Sequence, residues 1–133
     1  MGELADIVTD GIRLFNERRF DESLAGLTED VEWRTGLQPM LGLEATRGRE
    51  GVLEFWREAH SGWDDFRVEP VEAEELDDST VLVSVRYFGR GHASGLEFGD
   101  RTFSLYKLRD GQICSVQDFG TRDAALAAHE ADE

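Results

Sequence analysis

One cysteine, Cys114, stands in the 133 residues, so neither a disulfide framework nor a cysteine-rich zinc site can be built from this chain. Histidine is scarce too. His60, His92 and His129 lie far apart, with no His-x-His or His-x-x-x-His spacing, and no metal centre or other cofactor is expected. Lys107 is the single lysine, and 14 basic residues face 29 acidic ones for a formal net charge of −15. Such a field repels phosphate backbones and anionic lipid, which argues against nucleic-acid and membrane partners. No apolar run approaches the roughly 18 residues of a membrane span. Met1-Gly2-Glu3 opens no secretion signal, and the cytoplasm is the expected location.

What remains is the composition of an ordinary globular chain, 40% apolar and 10% aromatic. Its length suits one domain over residues 1–133. Leu4, Ile7, Val8, Ile12 and Phe15 recur at helical spacing, and a second short helix starts at Phe20-Asp21 with Leu24 and Leu27 inward. Val31-Glu32-Trp33-Arg34 alternates as a strand with Trp33 inward. Gly36, Pro39 and Gly42 mark a connecting loop. After Gly48, the residues Val52, Phe55, Trp56 and Ala59 predict another amphipathic helix, with His60 at its end.

Beyond an extended acidic stretch, Phe66 to Leu76, and a turn at Asp77-Asp78-Ser79, three segments read as strands: VLVSVRYF, RTFSLYKL and QICSVQDF. Ser94-Gly95 and Asp110-Gly111 are pairs that close two-residue hairpins, because the central residues need φ > 0. Thr121 can cap a last helix carrying Ala125 and Leu126. Helices before and after an antiparallel sheet predict an α+β fold.

Two-residue turns would set Arg109 opposite Gln112, Tyr106 opposite Ser115, Ser104 opposite Gln117 and Thr102 opposite Phe119. Val83 would lie beside Tyr106 and Val85 beside Ser104. One face then holds Val81, Val83, Val85, Tyr87, Ser104, Tyr106, Gln117 and Phe119, an oily wall with sparse polar groups of the kind a small-molecule pocket needs. Arg86, Phe103, Leu105, Lys107, Val116 and Asp118 fall on the other face. Apolar residues outside a one-layer sheet argue for a partner, most economically a second copy.

This order of elements resembles the SnoaL-like branch of the nuclear transport factor 2-like superfamily. FNERRFDESLAGLTEDVEWR, GREGVLEFWREA, GRGHASG and LRDGQI…FGTRDAALAA carry the likeness. The resemblance implies a conical α+β domain: a curved antiparallel sheet, helices over its concave face enclosing a cavity, and dimers through the outer face. Similar proteins include polyketide cyclases, steroid isomerases, dehydratases and epoxide hydrolases, together with many of no demonstrated activity, so the fold does not name the reaction.

The steroid-isomerase pattern needs an aspartate where this chain has Trp33, and a tyrosine in the first helix, whereas no tyrosine precedes Tyr87. An epoxide-hydrolase-like site needs two carboxylates bridged by an arginine; Arg86 and Asp118 supply one such pair. The cyclase-like pattern uses a carboxylate, sometimes with a histidine, and Asp118 and His92 are the available candidates. The register above turns Asp118 away from the cavity, so an outer-face ion pair is the simpler role for it. His92, near a turn, reads as a surface residue.

The expected ligand-binding set is Trp33, Phe55, Trp56, Val85, Tyr87, Ser104, Tyr106, Gln117 and Phe119. The expected function is binding of a small apolar or aromatic, polyketide- or steroid-like compound, with or without cofactor-free isomerase, cyclase or lyase chemistry. The alternative is a non-catalytic binding or dimeric interaction module. A slip of one residue in the last strand would reverse the standing of Asp118.

Overall fold

The first helix, α1 (Glu3–Asn16), buries Val8, Ile12 and Phe15 along one stripe. This is what apolar residues at a 3.6-residue period dictate. In the computed structural model, which describes residues 2–34, 46–91 and 101–131 and gives only the backbone at 59–66, 87, 89–91 and 101, α1 is fastened at both ends. At its N-terminus the Glu75 carboxylate accepts a hydrogen bond from the Ala5 amide at 3.1 Å, satisfying a donor the helix leaves open. At its C-terminus the Arg19 amide bonds the Leu14 carbonyl and the Arg18 amide bonds that of Phe15. This closing motif puts Arg18 at φ 61°, a conformation glycine usually supplies.

The order continues α2 (Phe20–Ala25), β1 (Leu27–Arg34), β2 (Thr46–Arg47), α3 (Gly48–Gly62), β3 (Trp63–Asp77), β4 (Thr80–Gly91), β5 (Arg101–Arg109), β6 (Gln112–Phe119) and α4 (Arg122–Ala131). The six strands form one sheet in the order β2-β1-β6-β5-β4-β3. The fold class is α+β, as expected, and every neighbouring pair is antiparallel except β1 with β6, which makes the sheet mixed. The β3 edge is studded with Glu69, Glu72, Glu74 and Glu75, carries Pro70, and departs from regular pairing at Val71, devices that discourage edge-to-edge association.

The inner face packs under α1, α2 and α3, joining Val8, Ile12, Phe15, Val52 and Trp56 to Val81, Val83, Val85, Tyr106 and Val116 in one core. Helix α4 lies on the opposite face, where Ala125 is fully buried against Leu82 and Leu105, with Phe103 and Phe119 alongside. Phe103 and Leu105, whose exposure argued for a second copy, are therefore packed within the chain.

Register decides the rest. The turn at Asp110-Gly111 forms as expected, both residues at positive φ, and Arg109 pairs with Gln112 and Leu108 with Ile113. The pairing then slips: Lys107 lies opposite Ser115, so Cys114 is an extra residue, a β-bulge. Beyond it Tyr106 pairs with Val116, Ser104 with Asp118 and Phe103 with Phe119. The expected placement is thus corrected for four residues. Val116 and Asp118 are inward; Gln117 and Phe119 are outward, Gln117 exposed and Phe119 beside α4. Between β4 and β5 the register differs by two residues, Val81 facing Tyr106 and Val83 facing Ser104. An even shift keeps every side chain on its face. The Ser94-Gly95 turn lies outside the described residues.

Candidate functional site

Between the helices and the inner face of the sheet lies a cavity of about 270 Å³. Helix α1 contributes Val8, Ile12 and Phe15, β1 contributes Leu27 and Trp33, α3 contributes Phe55 and Trp56, and the sheet closes it with Val68, Tyr106, Ile113 and Val116. Trp56 is the hub of the aromatic wall. Its ring meets Phe15 edge-on at 5.3 Å between centroids, Trp33 edge-on at 5.4 Å, and Phe20 at 5.8 Å. Such tilted contacts match the quadrupoles of the rings and hold the wall in one arrangement.

The polar groups at this wall are sparse. Ser23 donates its hydroxyl hydrogen bond to the Gly11 carbonyl at 3.1 Å. Trp56, 2% exposed, keeps its indole Nε1 buried, with no hydrogen-bond partner among the described residues. Tyr106 brings a phenol to the cavity, and burial, reinforced by the negative charge of Asp118, pushes its pKa well above the ordinary tyrosine value. Both causes favour the neutral form, so at neutral pH this hydroxyl is a hydrogen-bond donor and not a base.

Asp118 lies on the inner face of β6, opposite Ser104. Ser104, fully enclosed beside it, donates its hydroxyl to Asp118 Oδ1 at 2.6 Å. A short bond of this kind to a charged acceptor orients the carboxylate. Asp10 and Glu22 also line the cavity, and Glu22 is paired with Arg19 at 2.6 Å. Among the described residues no group of three His, Cys, Asp or Glu side chains is placed to hold a metal ion, and no helix is long and apolar enough to cross a membrane.

Of the expected binding residues, Trp33, Phe55, Trp56 and Tyr106 line the cavity together. Val85 and Ser104 are buried in the inner face, though not among the described lining residues. Gln117 and Phe119 are on the wrong side of the sheet for it. The Tyr87 backbone pairs with Val68, and its side chain lies outside the described residues, as does all of His92. Sequence reasoning missed the inward turn of Asp118, yet a signal existed. Ile113 and Val116 are the aliphatics of the last strand, spaced by three, and both can face one core only if a residue bulges between them.

Solved structures share this architecture at low identity. A nuclear transport factor 2-like protein of unknown function from Burkholderia pseudomallei K96243 is 19% identical with a TM-score of 0.77, over 96% of this chain and 97% of that one. TerC, co-crystallised with polyporic acid, is 20% identical with a TM-score of 0.76, over 97% of each chain. The epoxide hydrolase/cyclase-like enzyme SalBIII, with a role in pyran ring formation in the polyether salinomycin, is 18% identical with a TM-score of 0.74, over 91% of this chain and 92% of that one. At such identities the likeness establishes the fold. No curated protein matches the chain. A model of the SnoaL-like domain matches residues 8–116, most of the chain's length, and the protein belongs to the SnoaL-like family.

Proposed function

We propose that residues 1–133 act as one domain that binds a small, largely apolar ring compound in the cavity and moves a proton on it, as a cofactor-free isomerase, cyclase or lyase. The observation that carries this reading is Asp118 on the inner face, held by Ser104 at 2.6 Å and close enough to Tyr106 to disfavour its ionisation. The arrangement supports a division of labour. Asp118 takes a proton from a carbon activated by a neighbouring carbonyl, and the neutral Tyr106 hydroxyl donates a hydrogen bond to the oxygen where negative charge gathers. The apolar wall excludes water and strengthens both interactions. TerC, co-crystallised with polyporic acid, and SalBIII, with its role in pyran ring formation, are similar proteins and support a small ring compound as the ligand class.

The test is exchange of the α-hydrogens of 2-tetralone for deuterium, followed by NMR in heavy water. The wild-type chain is expected to accelerate exchange, and Asp118→Asn to lower that rate about a hundredfold or more while leaving affinity for the ketone within a few fold. Bound ketone with exchange no faster than in buffer would overturn the catalytic reading. It would leave the second one, a binding module without turnover, which has its own support: Asp118 is not among the described lining residues of the cavity.

A homodimer through the outer face is part of the proposal in a narrower form than the sequence suggested. Since α4 covers Leu82 and Leu105, a second copy would meet the strip beyond it, where Arg67 lies over the Phe88 ring at 4.5 Å and Gln117 is exposed. Sedimentation decides: a monomer at micromolar concentration removes the dimer. The cytoplasm is the proposed compartment, checked by cell fractionation.

A further inference from the structure

We propose that the cavity opens where α1 meets α2 and that this mouth selects by charge, admitting a ring compound that carries an amine in preference to one that carries a carboxylate. The inference rests on the cavity being a ligand site. Its own observation is separate from the Asp118 chemistry. Among the described lining residues only Asp10 and Glu22 are exposed; the others are buried or half-buried. Residues that line a cavity and also meet solvent mark the way in. These two stand next to Gly11 and Ser23, lining residues joined by the 3.1 Å hydrogen bond between α1 and α2, so both belong to one rim.

Charge at that rim does not cancel. Asp10 and Glu17 share Arg13 at 3.8 and 3.2 Å, and Glu17 and Glu22 share Arg19 at 3.3 and 2.6 Å. Three carboxylates thus divide two guanidinium groups, and neither arginine is among the described lining residues. Over residues 3–24 six acidic side chains face three basic ones, so the surroundings keep the same sign. Ser23 has committed its hydroxyl hydrogen to Gly11 and offers no donor to an incoming anion. At physiological salt a solvated charge acts over about 8 Å, so selection at the rim needs no direct contact. An acidic rim before an apolar wall gathers cationic ligands and holds back anionic ones.

Three probes on one bicyclic frame test it: 2-aminotetralin, cationic at neutral pH; 2-tetralone, neutral; and tetralin-2-carboxylate, anionic. Each is titrated calorimetrically into the full chain and into a double variant, Asp10→Asn with Glu22→Gln. Both side chains are more than half exposed, so the variant keeps its fold. The wild-type chain is expected to bind the amine at least tenfold more tightly than the carboxylate, and the variant to lose about tenfold of that ratio. Affinity for the neutral ketone should stay within a few fold. A second double variant, Asp123→Asn with Glu130→Gln, makes the same change in net charge at exposed positions of α4 and should leave the ratio as it is. Carboxylate bound by the wild-type chain as tightly as the amine overturns the proposal. So does a ratio unmoved by the rim variant, or moved as far by the α4 variant. In each of these cases ketone binding leaves the cavity reading standing, whereas binding of none of the three probes overturns both.

Discussion

Tyr106 belongs both to the core and to the cavity wall. It is 6% exposed, pairs with Val116 across the strands and lines the cavity. Its folded pKa is raised by burial and then by Asp118, above the unfolded value of about 10. The neutral phenol is the favoured folded form, so its contribution to stability is complete below pH 10. That contribution is lost as pH rises above 10 toward the folded pKa. Wild type is therefore expected to lose stability faster than Tyr106→Phe above pH 10, by up to about 1.4 kcal/mol per pH unit for one linked proton. Urea denaturation of the two proteins between pH 9 and 11 measures it; parallel curves would show that Tyr106 ionises freely in the folded state.

Among the elements, α1 is held to the sheet by a contact with no sequence signature. Asn16 uses both ends of its amide on the backbone of one strand residue: Nδ2 donates to the Val68 carbonyl at 2.7 Å and Oδ1 accepts from the Val68 amide at 2.8 Å. Val68 lines the cavity, so this clamp sets the distance between the helix and the far wall of the site. Asn16→Ala is expected to cost about 2 kcal/mol, because two partly buried backbone groups lose their partner. Asn16→Asp, which keeps only the acceptor, should not restore it. Chemical denaturation at pH 7 checks both. An asparagine at a helix end reads from sequence as a solvent-exposed terminus, since nothing local announces a partner 52 residues away.

The strands were legible to different depths for a physical reason. Turn chemistry is local, so Asp110-Gly111 and Asp77-Asp78-Ser79 declare themselves; in the latter Asp77 Oδ1 accepts from the Ser79 amide at 2.8 Å. Alternation also survives an even shift, which is why the inward set of β4 and β5 stood although the pairing lay two residues off. A bulge breaks alternation with no turn residue to mark it. The extra residue at Cys114 reversed everything beyond it, taking Gln117 and Phe119 out of the cavity wall and bringing Asp118 in. Trp33, Phe55, Trp56 and Tyr106 were readable because they precede the bulge or lie on elements of regular period.

At the scale of the whole molecule the sheet separates two layers that need not depend on each other. The inner layer holds the cavity, whereas the outer one is built by α4 over Leu82, Leu105, Phe103 and Phe119. Helix α4 is short, and at its rim Arg122 pairs with Glu74 at 2.7 Å and His129 with Asp77 at 3.1 Å. The exposed Arg122–Glu74 pair adds little, His129 is largely covered, and the helix docks around the apolar contact centred on Ala125, which is fully buried. A long charged side chain there cannot be housed without an unpaired buried charge or displacement of the helix. Ala125→Arg is expected to destabilise the fold by about 2 kcal/mol or more and to raise binding of a hydrophobic dye as Leu82 and Phe103 are uncovered. Affinity for 2-tetralone should stay within a few fold, because no described residue of α4 lines the cavity. Loss of ketone binding in a variant that keeps its far-ultraviolet circular dichroism would show instead that the outer layer holds the site in shape through the sheet, with Phe103 and Leu105 as the nearest links to Ser104 and Tyr106.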